Sequence, residues 1–126
     1  MLNAAGGHAL IIEDELILGM GMQSVLTPLG YTSFAFASTA SQALEQAKLQ
    51  HPDLVTVDVN LMHGTGMEAA RTIIDACGPT PIIYVTGDPS ALDGVAGAVI
   101  VRKPFTPADI ARACATFSPS SVQAEI

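Results

Sequence analysis

Leu54-Val55-Thr56-Val57-Asp58-Val59-Asn60-Leu61 is an apolar run interrupted by a carboxylate at residue 58. Its apolar residues are continuous rather than alternating, which is the pattern of a strand covered on both faces. A carboxylate at the C-terminal tip of such a strand lies where open α/β sheets place their ligands. Two further apolar runs end in charge. Ala9 to Ile12 leads into Glu13 and Asp14, and Ala98 to Val101 leads into Arg102, Lys103 and Pro104.

Outward from these three runs, strands and helices alternate. The spacing of Leu18, Met22, Val25 and Leu29 predicts a helix over Glu15 to Leu29, with Pro28 loosening its last turn and Gly30 ending it. Tyr31 to Ala37 reads as a second strand. Thr39 and Gln42 fit a capping box for a helix over Ser41 to Gln50, stopped by His51-Pro52. Leu54 to Val57 is the third strand. A loop with two glycines, Asn60 to Gly66, leads to a helix over Met67 to Cys77. Pro81 to Val85 is the fourth strand, followed by Thr86-Gly87-Asp88-Pro89 and a short helical segment over Ser90 to Val95. Ala98 to Val101 is the fifth. Thr106 and Pro107 open a last helix that runs to about Phe117. Five strands alternating with helices imply βαβ units: a doubly wound parallel sheet between two helix layers, of the α/β class.

At 126 residues the chain is long enough for one core, and its 49% hydrophobic but 5% aromatic content makes that core aliphatic. Residues 1–7 are expected to be a flexible N-terminus, 8–117 one folded domain and 118–126 a disordered tail. The net charge is −7 and only five basic residues occur, none before Lys48. That balance argues against direct nucleic-acid binding, which needs a basic stripe, and against a secretory leader. No apolar run is long enough for a membrane span. Cys77 and Cys114 follow no metal or redox spacing and read as reduced packing thiols in a cytoplasmic protein. His8, His51 and His63 are scattered and carry no site.

The polar residues that do carry a site all follow strands: Glu13 and Asp14 after the first, Asp58 after the third, Thr86 after the fourth, Lys103 after the fifth. In a parallel sheet these ends share one edge. Carboxylates converging there repel by about 4 kcal/mol per pair at ~4 Å and an effective dielectric near 20. A hard divalent cation relieves this, and a partly protein-coordinated one that keeps waters and accepts phosphate oxygens suits Mg²⁺. Glu13, Asp14 and Asp58, with the backbone carbonyl of Asn60, are the candidate ligands. A lysine and a hydroxyl beside them suit a phosphoryl group. Asp58 is then the nucleophile of an aspartyl phosphate, and Lys103 and Thr86 bind the phosphoryl oxygens.

Ile12-Glu13-Asp14-Glu15, Val57-Asp58-Val59-Asn60-Leu61, Thr86-Gly87 and Arg102-Lys103-Pro104-Phe105 together resemble the receiver (CheY-like) domain of two-component response regulators, over roughly residues 8 to 117. The resemblance implies a flavodoxin-like (βα)5 fold, Mg²⁺, and phosphotransfer to Asp58 from a histidine kinase or a histidine phosphotransfer protein. It maps the acid pair to Glu13 and Asp14, the switch hydroxyl to Thr86 and the lysine to Lys103. The stretches around Thr86 and Lys103 look like a subgroup of stand-alone receivers found in alphaproteobacteria. The chain stops a short tail after the last helix, so the expected role is that of a receiver without an output domain: phosphoryl shuttle, sink or interaction switch. A receiver cut from a longer transcription factor or hybrid kinase has the same residues, and a dimer is left open.

Two departures and two finer expectations follow from the resemblance. Ile100 stands where receivers usually carry a Tyr or Phe that swings inward with the switch hydroxyl. Only sixteen residues separate Thr86 from Lys103, so the fourth helix is expected to be short or mobile. The positions that tune access of the hydrolytic water are Asn60 and Asp88, both polar, which implies a phosphoryl lifetime of minutes. Leu16, Ile17 and Met20 fall off the core stripe of an uncharged first helix and are a candidate kinase-docking surface. A haloacid-dehalogenase-type phosphatase would use the same nucleophile but needs an acid two residues on, and Asn60 occupies that place. The chain is therefore read as a phosphoacceptor, not an enzyme acting on a separate substrate.

Overall fold

The computed structural model of the protein describes residues 6–61 and 65–117. Five strands form one fully parallel sheet: β1 (Gly7–Ile12), β2 (Tyr31–Ala37), β3 (Leu54–Asp58), β4 (Ile82–Thr86) and β5 (Val99–Arg102), in the spatial order β2-β1-β3-β4-β5. Four α-helices accompany them: α1 (Leu16–Leu26), α2 (Ala40–Leu49), α3 (Gly66–Cys77) and α4 (Pro107–Ala115). This is the flavodoxin-like doubly wound order, and the order in which strands are added reverses between β1 and β3. The β4–β5 crossover carries a single 3₁₀ turn, Pro89–Leu92, where the expected fourth helix was placed over Ser90 to Val95. Most of the expected flexible N-terminus and all of the expected tail lie outside the described residues. Gly7, however, opens β1, with its N–H donating to the Gly30 carbonyl at 2.9 Å.

Every residue of β1 and β3 is buried, which is why these strands read as unbroken apolar runs. Alternate residues feed two cores. Leu10, Ile12, Val55, Val57 and Ile82 face α2 and α3, packing on Ala43, Ala47, Ala69, Ala70 and Ile73. Ala9, Ile11, Leu54, Ile83, Val85 and Val101 face α1 and α4, packing on Met22, Leu26, Ile110 and Ala113. The four alanines are small enough to let α2 and α3 lie close to the sheet and to each other.

The first helix buries a different stripe from the one its hydrophobic spacing suggests. Gly19, Met22 and Leu26 are buried, whereas Leu18 and Leu29 are 46% and 39% exposed. The ring of Phe36 lies within 3.6 Å of where a Gly19 side chain would begin, so the glycine marks the contact face. The helix ends as expected: Thr27–Leu29 tighten into a 3₁₀ turn containing Pro28, and Gly30 closes it in the left-handed conformation at φ 108°. Thr39 caps α2 by accepting from the Gln42 N–H at 3.1 Å. The Gln42 side chain answers one residue further out than a capping box requires, accepting from the N–H and hydroxyl of Ser38. The full reciprocal box occurs instead at Thr106 and Asp109, at the start of α4.

Helix α3 begins against the back of β3. Thr65 caps it by accepting from the Glu68 N–H, and the Gly66 N–H donates to the Val59 carbonyl at 2.9 Å. A side chain on Gly66 would start 2.3 Å from the Asp58 carbonyl oxygen and 2.8 Å from a Val57 methyl. Because the nearest obstacle is backbone, Gly66→Ala should displace α3 from β3 and destabilise the domain by about 1–3 kcal/mol. Urea unfolding followed by circular dichroism measures this; a midpoint equal to wild type would contradict the packing described.

Candidate functional site

Strand register sets the site. Ile12 pairs with Val57, Asp58 with Val85, and Thr86 with Arg102, so Glu13, Asp58, Thr86 and Lys103 stand in one row along the C-terminal edge. The backbone ladder continues just past the strands and fixes the row. The Glu13 N–H donates to the Ala37 carbonyl, that of Val59 to Val85 and that of Lys103 to Thr86, at 2.9, 3.1 and 2.8 Å. The peptide bond between Lys103 and Pro104 is cis.

Glu13, Asp14 and Asp58 converge: one carboxylate oxygen from each lies within 4.8 Å of the others. Asp58 is buried and its neighbours are half-buried. Asp58 is held from both sides. One oxygen accepts the Asn60 N–H at 3.1 Å, an Asx turn that freezes its rotamer. The other lies 3.4 Å from the Lys103 ammonium. Burial, and then the Asp58 carboxylate, push the Glu13 carboxyl up from 4.5 to about 7, and a hydrogen bond to Asp58 also favours its protonated form. The Glu15 N–H and the Lys103 ammonium pull the other way. Three carboxylates gather here, with the Lys103 ammonium beside Asp58. That donor set, with carbonyl oxygens nearby, fits a hard divalent cation such as Mg²⁺.

Below the carboxylates a cavity of about 470 Å³ runs between α1 and the segment after β5. Leu18, Met22, Val85 and Phe105 give it apolar walls. Glu13 lies at the rim of this apolar-walled cavity.

Thr86 is fully buried, and its hydroxyl is bound away from the carboxylates in a reciprocal pair with Asp88. It accepts the Asp88 N–H at 3.0 Å and donates to the Asp88 carbonyl at 3.3 Å. The Asp88 carboxylate accepts from the N–H and hydroxyl of Ser90, capping the 3₁₀ turn. In this conformation the Asp88 carboxylate is engaged in that cap. Asn60 is exposed beside Asp58. Ile100 is 38% exposed and pairs across the ladder with Tyr84. Leu16, Ile17 and Met20 are 72%, 81% and 53% exposed, as their place off the stripe implied. Two contacts escaped the sequence reading: the Asn60 N–H on Asp58, whose two-residue spacing is a known turn signal, and the hold of Asp88 on Thr86.

The family model for the response regulator receiver domain matches residues 9–115. Among curated proteins, the transcriptional regulatory protein YvrH of Bacillus subtilis is 30% identical over 107 residues, covering 81% of this chain and 45% of its own length. The chain thus spans about half of that relative or less. Among solved structures, the PhyR receiver domain of Erythrobacter litoralis superposes with a TM-score of 0.80 at 28% identity, covering 88% of each chain. The receiver domain of the sensor histidine kinase PA1611 from Pseudomonas aeruginosa, with magnesium coordinated in its active site cleft, superposes with a TM-score of 0.76 at 28% identity, covering 90% of this chain and 98% of that one. The PhyR neighbour agrees with the subgroup suggested by the sequence. No helix among the described residues is long and apolar enough to cross a membrane.

The raised Glu13 carboxyl makes the site pH-dependent. Its proton affinity is higher in the folded state, near 7, than in the unfolded chain, near 4.5. The folded protein therefore holds an extra proton between those values, and without metal this group lowers stability as pH rises through that window. Mg²⁺ held by these carboxylates would displace the same proton, so its affinity should rise between about pH 6 and pH 8. Calorimetric titration in buffers of different ionisation enthalpy should show proton release near pH 6.5 that Glu13→Gln abolishes. Proton release unchanged by that substitution would contradict the assignment.

Proposed function

We propose, because this chain belongs to the response regulator receiver domain family, that Asp58 is its phosphoacceptor and that Glu13, Asp14 and Asp58, with the Asn60 carbonyl, hold Mg²⁺. Membership makes the chain a phosphoacceptor domain of two-component signal transduction. The observation that carries the residue assignment is the convergence of three carboxylate oxygens within 4.8 Å beside an ammonium 3.4 Å from Asp58.

The chemistry follows from that arrangement. An Asp58 oxygen attacks the phosphorus of a phosphohistidine. The new O–P bond forms as the N–P bond breaks, and the leaving imidazole nitrogen keeps the electron pair and takes a proton. The Asn60 N–H orients the carboxylate for attack. Lys103, already beside Asp58, turns to a phosphoryl oxygen as the carboxylate charge is consumed. The Thr86 hydroxyl supplies a further donor after leaving Asp88. Mg²⁺, when bound, neutralises charge on the phosphoryl oxygens and on the acids around it. In the reverse direction water attacks phosphorus and Asp58 departs as a carboxylate. On this reading Asn60 and Asp88 tune the access of that water, for a lifetime of minutes.

The donor is a histidine kinase or a histidine phosphotransfer protein, docking on Leu16, Ile17 and Met20. These three residues expose an uncharged apolar patch one turn from Glu13 and Asp14, so a helical bundle seated there presents its histidine to Asp58. The reading places the protein in the cytoplasm, where Cys77 and Cys114 stay free thiols. A dehalogenase-type phosphatase lacks support, since Asn60 cannot serve as its general acid.

Phosphotransfer from a phosphorylated histidine phosphotransfer protein, followed by intact mass, tests the reading. The wild-type chain should gain one phosphoryl group that decays within minutes in Mg²⁺. Asp58→Ala should gain none, and Lys103→Ala should react roughly 10²-fold more slowly. Alanine at Leu16, Ile17 and Met20 together should slow transfer from the protein donor but not from acetyl phosphate. Labelling of Asp58→Ala at the wild-type rate would refute the assignment.

A further inference from the structure

The charged row stands where the strands end. The opposite edge of the sheet, where they begin, holds a cavity of about 360 Å³. It lies between the starts of β2, β3 and β4 and the ends of α1 and α4. Leu29, Leu54 and Pro81 give it apolar walls, and Tyr31 and Phe117 line it with aromatic rings. The chain has only two tyrosines and four phenylalanines, so one of each at a single cavity concentrates its aromatic surface. Small-molecule sites usually span about 300–1,000 Å³, and this cavity falls at the small end of that range.

The polar side chains that line it are held by neighbours. The Tyr31 hydroxyl and the Cys114 thiol are hydrogen-bonded to each other. Asp53 is locked to β1: its N–H donates to the His8 carbonyl at 2.7 Å, and one of its carboxylate oxygens accepts the His8 N–H at 2.8 Å. A side chain on Gly7 would start 2.8 Å from the Tyr31 ring and 3.7 Å from that carboxylate, so glycine here lets ring and carboxylate sit side by side. Burial, and then Cys114 and Asp53, push the Tyr31 phenol up to about 12, and burial pushes the Cys114 thiol up to about 11. Both are uncharged near neutral pH. Asp53 is therefore the charged side chain among the residues lining this cavity.

Charge selects the ligand. No lysine or arginine is among the lining residues, and Arg112, the base on α4, is paired with Asp109. The helix ends add the same sign. Leu29 and Gly30 close the turn after α1, Ala115 ends α4, and helix C-termini carry partial negative charge. Aromatic faces also attract cations. We propose that this cavity binds a small organic cation, an ammonium group on an apolar body, with the ammonium at the Asp53 carboxylate beside the Tyr31 and Phe117 rings. The apolar body then lies against Leu29, Leu54 and Pro81. The site is at the far edge of the sheet from Asp58, and its occupancy does not depend on the phosphoacceptor assignment.

The test titrates the full, unphosphorylated chain with 2-phenylethylammonium, followed by amide NMR. Two analogues of similar size are the controls: uncharged 2-phenylethanol and anionic phenylacetate. Saturable shift changes should fall on Tyr31, Asp53, Leu54, Cys114 and Phe117, and both controls should bind at least about tenfold more weakly. Asp53→Asn keeps an acceptor for the His8 N–H and removes the charge. It should weaken the ammonium about tenfold and leave 2-phenylethanol unchanged. Phe117→Ala, at a position 37% exposed, should weaken both ligands. A dispersed spectrum confirms that each variant folds, and if Asp53→Asn does not, Phe117→Ala and the comparison with the alcohol decide. Shift changes confined to Glu13, Asp14 and Asp58, no saturation by about 20 mM, equal binding of ammonium and alcohol, or affinities unchanged by the substitutions would overturn the proposal.

Discussion

Mutual repulsion among Glu13, Asp14 and Asp58 is the constraint on which the rest of this structure turns. Their oxygens crowd within 4.8 Å at the rim of a sheet whose interior is apolar, with one lysine in contact. No fold gathers such charge for stability, and the raised Glu13 carboxyl registers the strain. A proton, the ammonium or a divalent cation can relieve it, and a transferred phosphoryl group exchanges the Asp58 charge for oxygens that the same cations bind. On the proposed reading the site is a competition for one set of negative charges, and function consists in changing which partner wins.

The scaffold makes that competition local. β1 and β3 are wholly buried, and their register brings Glu13 level with Asp58. Gly66 lets α3 press against the Asp58 carbonyl, which holds the backbone that carries Asp58 in place. Partial burial of Glu13 beside apolar walls raises its carboxyl. On the far side of Asp58 the structure is looser. Thr86 is tied to Asp88, and Asp88 caps a turn where a helix would otherwise lie. On the proposed reading, moving the Thr86 hydroxyl toward a phosphoryl group would release the Asp88 N–H and carbonyl.

The sheet and the charged row were legible in the sequence because both depend on strand ends, which continuous apolar runs mark sharply. Asp58, Glu13, Asp14, Thr86 and Lys103 each follow such a run. The face of α1 was less legible: Gly19 packs on the Phe36 ring, and a glycine adds nothing to a hydrophobic pattern, so Leu18 and Leu29 were assigned the burial that Gly19 and Leu26 take. Gln42 bonds Ser38 rather than Thr39 because a long side chain reaches either residue, and spacing alone does not choose. The partner of the Thr86 hydroxyl was hidden for a similar reason. A rotatable hydroxyl near Asp58 and Asp88 can serve either, and the turn geometry after β4 decides it.

The most direct measurement of the central claim is a crystal structure of the chain grown with Mg²⁺ and beryllofluoride, a phosphoryl mimic. The account requires the beryllium on an Asp58 oxygen, the metal bounded by Glu13, Asp14 and Asp58, and the Lys103 ammonium moved from the carboxylate to a fluorine. A metal held elsewhere, or no adduct on Asp58 at saturating beryllofluoride, would contradict it.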